Sequence, residues 1–316
     1  MTKYLKVGDT LETTYGTIPG GITYAPVRAR VISNPVDRGV MMEENIESNI
    51  PTAGYGGALK VGGSIEGNLR PLQMITLIHS VMGVKTATAS PAAGFNFTLG
   101  SPSSFCMKVG EETGSGLNIE QIYRGCGVKS MNLNIPAKEF TVAKFDWLAK
   151  IYDPGTFSAP TEGDYSVEQP IVFYNAEVSI AGSQSVRVKS ITLDINRAVD
   201  EERFVVGDYT LQELGVNGMT SVGGTITFTE QEYAEFKRAL YGVSAGTALD
   251  TANALGSVAL VITCTNIAAS ETDKMIITAP TTLYTTTDTT ISGQSEVEKR
   301  INFVVVGSGF NIFIAS

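Results

Sequence analysis

Glu43 beside Glu44 and Glu201 beside Glu202 are acidic pairs of the residue type that general acid–base work uses. Glycoside hydrolysis needs such a pair, one carboxyl with a raised pKa and one ionised partner. Both pairs fall in acidic connections that recur in the two halves of the chain, residues 37–57 and 200–218. A duplicated catalytic pair has no chemical purpose, whereas a duplicated contact loop suits self-association. Asp37, Arg38, Glu43, Glu44, Glu47, Asp200, Glu201, Glu202 and Asp208 are therefore read as contacts between subunits or between rings of subunits.

Other chemistry is sparse. A single histidine, His79, in 316 residues removes most nucleophile and general-base arrangements, and it falls in an apolar helical run. Cys106, Cys126 and Cys264 are odd in number and lack CxxC spacing, which reads as buried thiols and not as a disulfide framework or a zinc site. The glycine cluster GYGGALKVGG at 54–63 lacks the Gly-Lys-Ser/Thr of a phosphate loop, so a β-turn followed by a strand is expected there. No GxSxG elbow, HExxH or EF-hand loop is present. The expectation is no catalytic residue, no cofactor and no metal.

The elements that would carry the acidic loops repeat at a long period. Val27-Arg28-Ala29-Arg30-Val31-Ile32 is followed by Asn34-Pro35-Val36-Asp37, the first acidic connection, Val61-Gly62-Gly63-Ser64-Ile65 and a helical run ending at Gly83. Val186-Arg187-Val188-Lys189-Ser190-Ile191 leads to Asn196-Arg197-Ala198-Val199-Asp200, the second connection, Val222-Gly223-Gly224-Thr225-Ile226 and a helical run ending at Gly242. Val36 to Val61 spans 25 residues against 23 for Val199 to Val222. A looser match pairs residues 131–136 with 275–280, and the segment from Glu139 with that from Glu296.

Each unit has one helix. Pro71 suits a helix start, Leu72, Ile75, Ile78 and Met82 keep the 3–4 spacing, and Gly83 stops the run. In the second, Glu230, Glu232 and Glu235 precede Lys237 and Arg238 as the helix dipole favours, and Tyr233, Phe236 and Leu240 share a face. Met131, Leu133 and Ile135 alternate with Ser130, Asn132 and Asn134, which predicts a strand with one apolar and one small polar face. Ala181-Gly182-Ser183 reads as a hairpin turn, and residues 152–170 as a linker.

Composition agrees with short strands: 43% apolar, 17% charged, 33 glycines and much Thr, Ser and Val. A net charge of −9 argues against a protein that grips nucleic-acid phosphates. Residues 1–10 lack the apolar core of a secretory signal and no uncharged run suits a spanning helix, so folding in the cytoplasm without a membrane is expected.

The order of acidic loop, Gly-Gly strand (Val61 to Leu69), helix to Gly83, then Tyr123-Arg124-Gly125-Cys126-Gly127-Val128-Lys129-Ser130-Met131-Asn132-Leu133, resembles the major tail tube proteins of long, flexible-tailed bacteriophages, as does the segment SITLDIN at 190–196. The resemblance implies an all-β dominated fold of two tandem β-sandwich or half-barrel tube domains, each with one flanking α-helix: 1–155, a linker at 156–170, and 171–316. It implies a structural virion protein, assembled in the host cytoplasm, whose homotrimeric pseudo-sixfold rings stack head to tail. The implied partners are further copies of itself, a tape measure protein in the lumen, tail terminator and baseplate or tail-tip proteins, and viral DNA passing without specific binding. The alternative is a two-domain β-sandwich adhesin or carbohydrate-binding protein, which would expose loop aromatics; Trp147, in a strand-like run, is expected in the core.

Overall fold

The computed structural model describes residues 2–43, 53–89, 93–112, 118–165, 168–184, 188–229, 234–247, 257–265, 274–290 and 298–315. Strands dominate. The first half runs β1 (Thr2–Leu11), β2 (Tyr24–Val27), β3 (Val31–Ser33), β4 (Val36–Glu43), β5 (Ala53–Asn68), α1 (Ile75–Met82), β6 (Gly83–Thr88), β7 (Gly94–Leu99), β8 (Phe105–Glu112), β9 (Ile119–Ile135), β10 (Val142–Ala149) and β11 (Ile151–Pro154). The second runs β12 (Ala176–Ile180), β13 (Ser183–Gln184), β14 (Val188–Asn196), β15 (Ser221–Phe228), α2 (Ala234–Tyr241), β16 (Ser257–Thr265), β17 (Lys274–Thr290), β18 (Glu298–Val305) and β19 (Asn311–Ala315).

Every pairing between these strands is antiparallel, and one order of four recurs. In the first half β3 pairs with β5, β5 with β10, and β10 with the C-terminal part of β9. In the second β14 pairs with β15, β15 with β18, and β18 with the C-terminal part of β17. A bulge falls at the same place in both, where Asp146 and Trp147 face Ser130 and Val128, and where Asn302 and Phe303 face Thr286 and Tyr284. The free side of β9 pairs with β14, which makes one eight-stranded run, β3–β5–β10–β9–β14–β15–β18–β17.

The N-terminal parts of β9 and β17 belong to further strand groups, β2–β1–β8–β9–β11 and β13–β12–β16–β17–β19. The β6–β7 hairpin extends the second of these through β19, a second crossing between the halves. Leu5, Val7 and Tyr123 from one group, Ile65, Phe145 and Leu133 from the other, and Leu77, Ile78 and Val81 of α1 bury together in one core. Trp147 is fully buried in it, edge-on to Tyr123 with ring centroids 5.2 Å apart.

Both helix stops lie where the glycines predict. Gly83 (φ +95°) donates its N–H to His79 O, and Gly242 (φ +79°) to Arg238 O. Pro71 sits in a turn ahead of α1 rather than inside it, and that turn is capped from far along the chain: Glu168 accepts from Leu72 N at 3.0 Å and Gln73 N at 3.1 Å. On α2, Glu235 and Arg238 pair at 3.4 Å and Phe236 packs on the core, while Glu230, Glu232 and Tyr233 lie outside the described residues. Ala181 and Gly182, both at positive φ, form the tight turn between β12 and β13.

Three expectations change. The glycine cluster at 54–63 is not a turn but part of the continuous strand β5, paired along β4. A Cβ on Gly57 would lie 2.9 Å from Gly39 O, beside the register shift of this ribbon, so glycine there serves close approach of two strands. The two acidic connections also differ: the described part of 37–57 is this β4–β5 ribbon, whereas 200–218 is irregular apart from a bridge between Val199 and Val216. Finally, pairing register gives other correspondences than residue similarity does. Val61 faces Val36 and Val222 faces Ile195, so Ile195, not Val199, occupies the place of Val36. Likewise Phe145 faces Met131 and Ile301 faces Thr287, so Met131 corresponds to Thr287 and not to Met275.

Candidate functional site

Alternation along eight adjacent strands produces one polar surface. Ser64 and Glu66 on β5 stand beside Lys144 and Asp146 on β10, then Ser130, Asn132 and Asn134 on β9, Thr192, Asp194 and Asn196 on β14, Thr225 on β15, Arg300 and Asn302 on β18, and Thr286 and Asp288 on β17. The residues between them, among them Ile65, Phe145, Met131, Leu133, Leu193, Ile195, Ile226 and Ile301, are buried on the opposite face.

Hydrogen bonds tie this surface together across the strands. Ser130 Oγ donates to Asp146 Oδ2 at 2.9 Å, and Asn132 Nδ2 to Asp194 Oδ1 at 2.5 Å. Thr225 Oγ1 donates to Asn302 Oδ1 at 2.7 Å, and Asn302 Nδ2 to Thr286 Oγ1 at 2.6 Å. Lys144 lies 3.3 Å from Asp146. At these positions the carboxylates Glu66, Asp146, Asp194 and Asp288 outnumber the cations Lys144 and Arg300, and the rest is small hydroxyl and amide; at the margin Glu298 is paired with Lys189. The hydrogen bond from Lys189 holds the Glu298 carboxyl below its ordinary pKa, so that group stays ionised.

The residues singled out from sequence gather at one end of this sheet, the end of Val61, Ala149 and Asn196. Asp37 and Arg38 are exposed on β4, opposite Lys60 and Leu59, and Glu43 ends that strand opposite Ala53. Glu44 and Glu47 lie outside the described residues. Glu201 pairs with Lys129 at 2.8 Å, while its neighbour Glu202 pairs with Lys60. Asp200 caps Glu202 N at 3.0 Å and meets Arg203 at 3.4 Å. Asp208 accepts from Thr210 N and Oγ1 at 2.8 and 2.9 Å, bonds that lower its pKa. Leu59 N donates to Tyr209 O at 2.7 Å, so the loop after β14 rests on the β4–β5 ribbon.

Adjacent carboxylates that engage different lysines do not face one substrate, so Glu201 and Glu202 are not arranged as a glycosidase pair. His79 is half-buried, edge-on to Phe97 at 5.8 Å; burial, then the nearby Lys85 charge, pushes its pKa down to about 4. Among the described residues no group of three or more His, Cys, Asp or Glu could hold a metal ion. No helix among them is long and apolar enough to cross a membrane.

The carboxylates of the polar face were missed in the sequence, although the 130–134 alternation was visible. Their common face depends on register between distant strands, which local pattern does not record. Two more surfaces emerge only in three dimensions. Met41, Met42, Tyr55, Val206 and Met219 are exposed apolar side chains on the ribbon and loop at the Val61 end. At the other end, an open cleft of about 650 Å³ is lined by Arg30, Lys138, Phe140, Phe173 and Tyr174, with the three aromatics exposed.

A family model described as phage tail tube protein matches residues 10–305 of the chain. No curated protein matches it.

Proposed function

The chain belongs to the phage tail tube protein family and is a structural protein of the tail, and on that premise we propose that it polymerises as stacked rings around a channel for the viral genome. The observation that carries this reading is the eight-stranded sheet with one polar and one apolar face. Curved into a ring, its polar face lines the channel. Small hydroxyls and amides with excess carboxylate give DNA phosphates little to hold, because like charge repels them and no cationic stripe among the described residues of this face displaces their counterions. The function asks for no catalytic group.

In this reading residues 1–155 and 171–316 are two tube units joined by 156–170, each giving four strands to the wall. Three copies then supply six units, a pseudo-sixfold ring. The exposed apolar ribbon and loop at one end of the sheet and the aromatic cleft at the other support head-to-tail stacking, since complementary unlike ends propagate without limit. Asp37, Arg38, Glu43, Glu44, Glu47, Asp200, Glu201, Glu202 and Asp208 would lie at or near those contacts. A tape measure protein inside the lumen, and terminator and baseplate or tip proteins at the ends, complete the set of partners.

Negative-stain electron microscopy with mass measurement tests the reading. Rings or tubes whose ring mass equals three chains are expected; rings of six full chains overturn the stoichiometry. The exposed Phe140, Phe173 and Tyr174 are also what a carbohydrate-binding module would display. Monodisperse monomers that bind glycans through that cleft would replace the tube reading.

A further inference from the structure

The eight-stranded run ends at two unlike edges. On one side β3 and the start of β4 pair with β5, and among the described residues no strand pairs with their outer edge. On the other, β17 beyond Leu283 pairs with β18 and, among the described residues, with no strand on its far side. Inside the chain, the corresponding two edges are already joined: β9 pairs with β14, with Ser130 opposite Asn196, Met131 opposite Ile195, Asn132 opposite Asp194 and Leu133 opposite Leu193.

Register fixes which residues of the open edges stand in the same places. Ile65 lies between Ile32 and Phe145, and Ile226 lies between Ile191 and Ile301, so Ile32 corresponds to Ile191. Carried along the strand, Asn34, Pro35, Val36 and Asp37 correspond to Leu193, Asp194, Ile195 and Asn196. Phe145 faces Met131 and Ile301 faces Thr287, so Ser130 to Leu133 correspond to Thr286 to Thr289. The shared bulge keeps this alignment from slipping.

We propose that β17 of one copy pairs with the outer edge of β3–β4 of the next copy in the register of the internal β9–β14 joint. Thr286 then lies opposite Asp37 of the next copy, Thr287 opposite Val36, Asp288 opposite Pro35 and Thr289 opposite Asn34. The proposal rests on the ring reading above and names the seam by which the ring closes.

Burial supports the missing neighbour. Ile191, Leu193 and Ile195 are 1–2% exposed in the internal joint, as are Met131 and Leu133, whereas Ile32 and Val36 are half-buried and Thr289 is exposed. Pro35 does not obstruct the seam. Gly62 N donates to Pro35 O, so the main-chain groups of Pro35 face β5, and those of Asn34 and Val36 face outward. The same geometry makes Asp37 and Thr286 a pair without mutual main-chain bonds, the closer kind, with Cα atoms about 4.5 Å apart. Pro35 and Asp37 on one open edge and Asp288 on the other are exposed and supply the proline and charge that keep such edges from pairing indiscriminately before assembly.

A cysteine-pairing experiment tests the register. Asp37 and Thr286 are exposed, and the native cysteines are buried, so Asp37→Cys and Thr286→Cys chains fold with one reactive thiol each. Mixed, allowed to assemble and oxidised with copper phenanthroline, they should give a linked dimer of the two chains, at least about tenfold more than Asp37→Cys mixed with Asp288→Cys, whose diagonal spacing is about 7–8 Å. Rings by electron microscopy with the Asp288 pairing favoured, or with neither pairing, overturn the seam and leave the tube reading standing. Absence of rings together with absence of links overturns both.

Discussion

Asn132 and Asp194 face each other across the joint between the two halves of the chain, amide to carboxylate at 2.5 Å. The bond lies on the polar face, flanked by the buried pairs Met131–Ile195 and Leu133–Leu193. Asp194→Ala should lower stability by about 1 kcal/mol, and Asn132→Ala added to it should cost little more, because the same bond is already lost. A double-mutant cycle in urea checks this; full additivity would mean the bond contributes nothing.

Gly224 allows β14 to approach β15 closely. A Cβ there would fall on Thr192 O, as one on Gly63 would fall on Ser33 O at the matching place in the first half. Gly224→Ala should therefore cost about 3 kcal/mol through strand displacement. Gly20→Ala, where nothing lies within 4 Å, should stay within about 0.5 kcal/mol of the parent in the same denaturation assay.

Acid should weaken the fold partly through His79. Its pKa falls from 6.5 to about 4 on folding, so between those values the unfolded chain binds the proton and the folded one does not. Stability contributed by the neutral ring is complete above pH 6.5 and lost as pH drops towards 4. His79→Gln should show a smaller drop in urea midpoint between pH 7 and pH 4.5 than the parent, and an equal drop would remove His79 from the account.

Features set by local chemistry were legible in the sequence. Gly83 and Gly242 end helices because each adopts a left-handed backbone, and Gly182 supplies one of the two positive-φ positions of the turn it forms with Ala181. Alternation through 130–135 gave the faces of β9 correctly. Register was not legible: Val36 resembles Val199 yet stands where Ile195 stands, because the ladder follows hydrogen bonds and not residue type. The glycines at 54–63 read as a turn for a related reason. Their close approach to β4 is a tertiary contact, invisible to local pattern. The carboxylates of the polar face, Glu66, Asp146, Asp194 and Asp288, needed that register to be found at all.

The thiols should be inert in the folded chain. Cys106, Cys126 and Cys264 are buried, and burial pushes the Cys264 thiol up to about 12 and the other two upward. Intact mass after iodoacetamide at pH 8 should show no adduct in native protein and three after denaturation in urea. Rapid labelling of a folded chain would contradict the described core.

Reversing charge on the polar face should turn a passive wall into a DNA-holding one. A Glu66→Lys, Asp146→Lys, Asp194→Lys variant is expected to retain duplex DNA on a filter at low salt and release it as salt rises, while the parent retains little. Equal retention by both would indicate that this face does not line the channel.

A three-dimensional reconstruction of assembled rings at side-chain resolution tests the central claim most directly. The account predicts three chains per ring, β17 of each beside β3–β4 of the next, and Glu66, Asp146, Asp194 and Asp288 facing the central channel. A channel lined by the opposite face of the sheet, or rings of six chains, would contradict it.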